Sequence, residues 1–399
     1  MRFSHRSNWN TEESALAAAH RERVAAGLPI ADLTASNPTR CGFDYGAGLL
    51  DALQDERALD YDPQPLGQRE GREAVCTYYA DHGVHVEPEQ VVLTTSTSEA
   101  YSFLFRLLCD PGSEILVPQP GYPLFDFLAA LDDVRIRSAP LVYDHGWQID
   151  PEGFRRMMTA EARAIVLVHP NNPTGHFTKP WEAEELGKLC RKHGLSLIVD
   201  EVFLDYAMPH GSEVRPWSFA AGLDGVPVFV VSGLSKIAGL PQMKAAWIVA
   251  TGIERAGAMA RLEVISDTFL SMNAPTQWAV PAWLGGREWI QRQIRRRVRV
   301  NLSELDRQLT GEPVVRRLEV EGGWYAMLRI AALQPDEKTV RELLDEGVWV
   351  HPGYFFGMAD AGWLVVSLLG PEKEFSTGVT WLLNYLGKNQ QGYKTGDGL

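Results

Sequence analysis

Apolar residues fall into two rhythms along the chain. Short, nearly unbroken runs recur at Val91–Thr94, Ile115–Val117, Ala164–Val168, Ser196–Val199, Val228–Val231 and Ala246–Ala250. Helix-length stretches lie between them, at Ser98–Leu108 and Lys179–His193. A strand apolar at every position is one covered on both faces, the condition of a parallel sheet flanked by helices. The pattern predicts a large α/β domain over residues 46–285, its sheet mostly parallel with helices on both faces.

Before it, Asn10 with Glu13 three residues on reads as a capping box for a helix ending near Gly27. After it, Glu288–Leu309 reads as a connector helix in which Arg292, Arg295, Arg296, Arg297 and Arg299 form a solvated face. Strand-like Trp324–Ile330, Val348–His351 and Leu364–Leu368 and helical Asp336–Glu346 and Phe375–Leu386 follow. A smaller α+β domain over 286–399 is predicted, with the N-terminal segment 1–45 packed on it. The polar tail 387–399 is expected to be loosely held.

The length of 399 residues accommodates two domains and a large core, and 45% apolar with 22% charged residues is an ordinary globular composition. A net charge of -13 argues against nucleic acid or an anionic membrane as the main partner. Residues 1–10 lack the apolar core of a signal sequence, and no apolar run approaches the ~20 residues of a membrane span. A cytoplasmic location is expected. Cys41, Cys76, Cys109 and Cys190 are scattered without a Cys-x-x-Cys pair, which implies buried free thiols, not a metal site or disulfide framework.

Chemistry enters where the apolar runs end. Ser232-Gly233-Leu234-Ser235-Lys236 follows Val228–Val231, and a lysine held at the end of a buried strand beside small hydroxyl residues is placed for Schiff-base formation. His169-Pro170-Asn171-Asn172-Pro173-Thr174-Gly175 and Asp200-Glu201-Val202-Phe203 follow two other runs. A parallel sheet gathers all three at one edge. Thr95, Ser96 and Thr97 fall between a strand and a helix, where hydroxyls and backbone N–H groups cradle a phosphate.

Together these motifs resemble the fold-type I pyridoxal phosphate enzymes, specifically the class I/II aminotransferase family, from about residue 33 to residue 385. The resemblance implies pyridoxal 5'-phosphate as cofactor, held by Lys236 as an internal aldimine and served by the freed amine as general acid and base. It implies that Asp200 partners the pyridinium nitrogen, that Asn172 donates to the phenolic oxygen, and that Tyr122 stacks on the ring. Thr95, Ser96, Thr97, Ser232, Ser235 and Lys244 would hold the phosphate. Lys244 stands where the family usually has arginine, and Ser96 where it often has glycine, which makes the loop less permissive. Tyr61 matches a tyrosine that reaches the neighbouring subunit's phosphate, so a homodimer with a shared site is implied.

Two positions depart from the family. Phe203 replaces a tyrosine that donates to the phenolic oxygen, with Tyr206 the nearest other hydroxyl in sequence. Val365 replaces the arginine that grips the substrate carboxylate, and no arginine occurs from Glu342 onward. Arg40, after Asn37-Pro38, and Arg329 are the candidate substitutes, and Asn37, Arg40 and Asn172 the expected substrate contacts. The implied activity moves an amino group from an amino acid or related amine to a 2-oxo acid. A β-eliminating lyase or decarboxylase would use the same residues. A cofactor-binding sensor would need an N-terminal DNA-binding domain, for which about thirty residues of balanced charge are too few.

Overall fold

The computed structural model describes residues 2–208 and 216–395. Helix α1 (Ala15–Ala25) leads to the short strand β1 (Ala31–Asp32). Its cap is not Asn10 but Ser14, whose hydroxyl accepts from the Ala17 N–H. Asn10 closes its own turn on the Glu12 N–H, and Glu13 is drawn instead to Arg21.

The large domain then unfolds in sequence as α2 (Arg69–Asp81), β2 (Val91–Thr94), α3 (Thr97–Leu108), β3 (Glu114–Gln119), α4 (Phe125–Leu131), β4 (Arg135–Tyr143) and β5 (Trp147–Ile149). It continues with α5 (Pro151–Met157), β6 (Ala162–Val168), α6 (Pro180–His193), β7 (Ser196–Asp200), β8 (Val228–Gly233), the single turn α7 (Leu234–Ile237) and β9 (Ala246–Thr251). The sheet order is β2-β9-β8-β7-β6-β3-β4-β5. Strands β8, β7, β6, β3 and β4 are mutually parallel, and only β9 and the edge hairpin strand β5 oppose their neighbours. Because β9 runs backwards between β2 and β8, β2 points the same way as β8. The C-terminal ends of β2, β3, β6, β7 and β8 therefore open on one edge.

Burial explains the unbroken apolar runs. Ile165, Leu197 and Val230 belong to one core layer, while the alternate residues Val166, Ile198 and Val231 belong to the other. Each successive side chain finds an apolar layer whichever face it meets.

Helices α8 (Arg255–Phe269), α9 (Ala274–Gly285) and α10 (Arg287–Leu309) lead to the small domain. That domain comprises β10 (Val315–Arg317), β11 (Tyr325–Ile330), α11 (Asp336–Asp345), β12 (Val348–Trp349), β13 (His351–Pro352), β14 (Trp363–Ser367) and α12 (Glu372–Thr395). Its sheet is antiparallel in the order β10-β11-β14-β13, and β1 pairs with β12, which brings the N-terminal segment to this domain.

Two expectations are corrected here. The α10 arginines are not uniformly solvated: Arg292, Arg296 and Arg299 are exposed, but Arg295 donates to the Asp205 carbonyl and Arg297 to those of Cys41, Leu369 and Gly370. Arg297 so ties the N-terminal segment to the chain after β14. The tail expected to be loose from residue 387 continues as α12 to Thr395, and 396–399 lie outside the described residues. All four cysteines are free, with Cys41 and Cys190 buried. Among the described residues no helix is long and apolar enough to cross a membrane.

Candidate active site

Strand register sets the site. Asp200 lies level with Val168 on one side and Val231 on the other, while Gly233 lies level with Ala246, which faces Thr94. The ends of β2, β7 and β8 are thus neighbours, and Lys236 follows in α7. A Cβ on Gly233 would meet the Ala246 Cβ at 2.8 Å and the Ala245 carbonyl at 2.9 Å, so glycine is required for the chain to turn into α7 against β9.

Lys236 is fixed from two sides. The Tyr206 hydroxyl donates to its carbonyl at 2.6 Å, and its Nζ lies 5.6 Å from the centre of the buried Trp324 ring. Burial pushes the ammonium pKa down, and the Asp200 charge opposes that shift only in part. A desolvated lysine is biased toward the neutral, nucleophilic amine.

Asp200 accepts the Val202 N–H at 3.0 Å and the Tyr101 hydroxyl at 3.1 Å. Burial pushes its carboxyl up to about 6, against those two donors and the Lys236 charge. It is a carboxylate short of a cation. The adjacent Glu201 accepts instead from the Ser218 hydroxyl and the Phe219 N–H, both at 2.7 Å, and burial pushes it up to about 8.

After β6, Asn171 donates to the Pro120 carbonyl and the Thr174 hydroxyl, both at 3.0 Å, which fixes the loop carrying Asn172. Gly175 closes it at φ 73°, with the Gly322 carbonyl only 2.6 Å from where a Cβ would stand. The Asn172 Oδ1 is buried without a partner. Tyr122, half-buried, packs edge-on to Phe125 at 5.4 Å. Burial, then the charge of Asp200, pushes its hydroxyl up to about 12, which places the two side chains in the same neighbourhood.

At the end of β2, Ser96 caps α3 by accepting the Glu99 N–H at 3.1 Å, while the Glu99 carboxylate takes the Thr95 N–H at 2.7 Å. The first-turn N–H groups at Thr97 and Ser98 have no acceptor within the helix. Ser96 has φ -162°, extended backbone open to any residue, so the expected loss of permissiveness without glycine does not arise. The Ser232 Oγ is buried without a partner, Ser235 is half-buried, and Lys244 is exposed at a φ of 55°, two residues before Ala246. Tyr61 is 87% exposed.

The expected substrate contacts are less gathered. Asn37 and Arg40 are exposed, and the Asn37 side chain accepts from the Thr39 N–H and hydroxyl of its own turn. Val365 is fully buried in β14, between Met327 on β11 and His351 on β13. Arg329 does not fill the gap: its guanidinium donates to the Ala361 carbonyl at 2.7 Å and stacks 4.6 Å over Trp363. Tyr206 does not replace the hydroxyl absent at Phe203 either, because that hydroxyl is committed to the Lys236 carbonyl. Phe203 itself packs on Trp324 at 5.2 Å. Sequence reasoning passed over Tyr101, Trp324 and His351. Tyr101 carried a signal, standing one helical turn after Thr97 on the inner face of α3.

The donor set fits pyridoxal phosphate. A buried carboxylate, a desolvated amine, the partnerless Ser232 hydroxyl and the Asn172 side-chain amide N–H are the complements of its ring nitrogen, aldehyde carbon, phosphate and phenolic oxygen. A family model described as aminotransferase class I and II matches residues 49–380. The chain belongs to this family. Its members are pyridoxal phosphate-dependent transferases of fold-type I. Among relatives, the aspartate/prephenate aminotransferase of Thermus thermophilus is 28% identical over 342 residues, 83% of this chain and 84% of that protein. The S-alkyl-thiohydroximate lyase SUR1 of Arabidopsis thaliana is 30% identical over 201 residues, 50% of this chain, and the match spans only 43% of that protein. The fold matches an alanine aminotransferase from Pyrococcus furiosus with a TM-score of 0.87 at 22% identity, covering 97% of this chain and 100% of that one.

Proposed function

We propose that this protein is an aminotransferase that moves an amino group from an amino acid or related amine to a 2-oxo acid, using Lys236 as the amine that holds pyridoxal 5'-phosphate. The observation that carries the proposal is the half-buried Lys236, its pKa depressed by desolvation and acted on by the charge of the buried Asp200, at the edge of a parallel sheet. When bound, the cofactor supplies an electron sink for the pair left by the Cα proton. Lys236, its ammonium form disfavoured by desolvation, would take that proton from Cα and return one at C4′. Asp200 would keep the ring nitrogen protonated, the Asn172 amide would donate to the phenolic oxygen, and Tyr122 would cover the ring and keep water from it. Thr95, Ser96, Thr97, Ser232, Ser235 and Lys244 bind the phosphate, with the α3 N-terminus adding its dipole. In this reading Asn37, Arg40 and Asn172 are the candidate substrate contacts.

The reading includes a cytoplasmic homodimer in which the exposed Tyr61 completes the other subunit's site, and a division of the chain at residues 45 and 285. A screen of amino donors, read by cofactor absorbance, tests it. Conversion to a stable pyridoxamine form that an added 2-oxo acid reverses is the expected result. A β-eliminating lyase is the second reading, favoured by the match to a plant lyase. Pyruvate and ammonia released without an acceptor would decide for it.

A further inference from the structure

The row Met327, Val365, His351 runs across three adjacent antiparallel strands. Directly opposed residues put their Cβ atoms about 5 Å apart on one face of a sheet. Met327 and Val365 belong to the core layer shared with the large domain, while Ala326, Leu328, Leu364 and Val366 belong to the small domain's own core. The row therefore faces the large domain. Five residues past His351, the Phe356 carbonyl accepts the Gly121 N–H at 3.0 Å, and the Gln119 side chain donates to the Gly357 carbonyl. These bonds hold the His351 segment against the loop that carries Tyr122.

In this row the imidazole is the sole polar side chain, and its Nδ1 is buried without a partner. Phe355 and Phe356 flank the ring at 6.0 and 5.7 Å, and Val365 faces it. None of the three is charged. Tyr325, two pairs further along β11 and β14 from Met327, is engaged with Ser36. The charge that acts on His351 is Asp32 on β1, whose carboxylate already accepts the Thr34 N–H at 2.7 Å and its hydroxyl at 2.6 Å. Burial holds the free imidazole below its ordinary value, with Asp32 opposing. A carboxylate arriving at Nδ1 would add to the field of Asp32 and favour the protonated ring.

We propose that His351 receives the substrate carboxylate in place of the arginine absent at Val365, binding it as the imidazolium, so that binding takes up a proton. This rests on the aminotransferase reading. It names the substrate class as amino acids whose carboxylate meets a titratable group, not a permanent cation. An arginine-lined pocket keeps its charge throughout the working pH range. A pocket lined by His351 weakens as pH rises.

The test is binding of propionate and of propionamide to the holoenzyme by calorimetry from pH 6 to 8.5, in two buffers of different ionisation heat. Protons taken up at the cofactor itself are read from its absorbance and subtracted. Propionate affinity is expected to fall about tenfold per pH unit above the imidazole pKa, as one-proton linkage requires, with propionamide insensitive to pH. In His351→Asn and in His351→Gln, which keeps a neutral donor, the propionate slope should vanish and affinity at pH 6 should drop at least about tenfold, the loss of one charge-assisted contact. A slope that survives in both variants, or that disappears in Arg40→Ala instead, overturns the assignment. The donor screen reports separately: if no amine converts the cofactor, the aminotransferase reading has failed whatever propionate does.

Discussion

The edge of the large sheet and the row of small-domain residues facing it are both buried, yet they treat charge differently. On the large-domain side the charges of Lys236 and Asp200 act on each other, Tyr101 donates to the Asp200 carboxylate, Asn171 fixes the loop that carries Asn172, and both titratable groups are displaced from their ordinary pKa. On the small-domain side Met327 and Val365 are apolar, and the His351 imidazole, its Nδ1 without a partner, carries the polarity of the row. Groups that stabilise a carbanion serve many reactions, so the sheet edge sets the chemistry without selecting the substrate. In the proposed reading selection would fall to the facing row, where a buried carboxylate without a donor would cost more than the roughly 2–7 kcal/mol of an unpaired neutral amide or hydroxyl.

The sharpest way to break this contrast is Lys236→Ala. Turnover should fall by on the order of 10⁴-fold or more, the upper range for a positioned general acid and base, while the phosphate-binding groups retain the cofactor non-covalently. Steady-state rates with gel-filtered, cofactor-bound enzyme measure both. Near-normal turnover would take the chemistry away from the sheet edge.

Asp200→Ala should cost roughly 10²–10³-fold in turnover at saturating cofactor, comparable to removing one preorganised electrostatic contact, and less in cofactor affinity. The opposite pattern, weak binding with full turnover once saturated, contradicts the assigned role.

A smaller effect separates apo- from holoprotein. The Asp200 carboxyl is raised by burial to about 6 in the unliganded fold, above its unfolded value of 3.8. The folded state therefore binds more protons than the unfolded one between those values, and this group's contribution to stability falls as pH rises from about 4 to 6. A cofactor carrying a protonated ring supplies the missing cation only where Asp200 is ionised. The gain in Tm on adding cofactor should be larger at pH 7.5 than at pH 5.5, and the difference should vanish in Asp200→Asn. An equal gain at both values would mean that Asp200 meets no positive charge.

How much of this was legible in the sequence depended on how far each residue acts from its own segment. The central strands and Lys236, Asp200 and Asn172 could be read because continuous apolar runs end at those motifs. The β4–β5 hairpin could not, because Arg135, Arg137 and Pro140 give it the polar alternation of a sheet edge, and α9 is apolar around most of its circumference and contains Pro281. Tyr101 reaches Asp200 across 99 residues of chain. His351 meets Val365 only through the pairing of β13 with β14. Local pattern records where a residue sits in its own element, not which distant polar atom is left wanting a partner.

The smallest expected effect concerns Phe203, where the sheet edge itself lacks a polar group. Phe203 packs on Trp324, and the nearby Tyr206 hydroxyl is committed to the Lys236 carbonyl at 2.6 Å, so in the proposed site neither residue would donate to the cofactor's phenolic oxygen. One donor fewer leaves that oxygen more basic and its neighbouring proton more tightly held. Phe203→Tyr should then lower the midpoint of the cofactor's absorbance titration by up to about one pH unit, since a neutral hydrogen bond contributes about 1 kcal/mol and one unit corresponds to 1.4. The added hydroxyl also has to find that acceptor in a buried site, or the variant loses about 1–3 kcal/mol of stability from an unmet polar group. A lowered midpoint with unchanged Tm shows that the position lacked only the hydroxyl. An unchanged midpoint with a lower Tm shows that the donor is already supplied from elsewhere, and the unpartnered indole N–H of Trp324, packed against Phe203, is then the group to replace next.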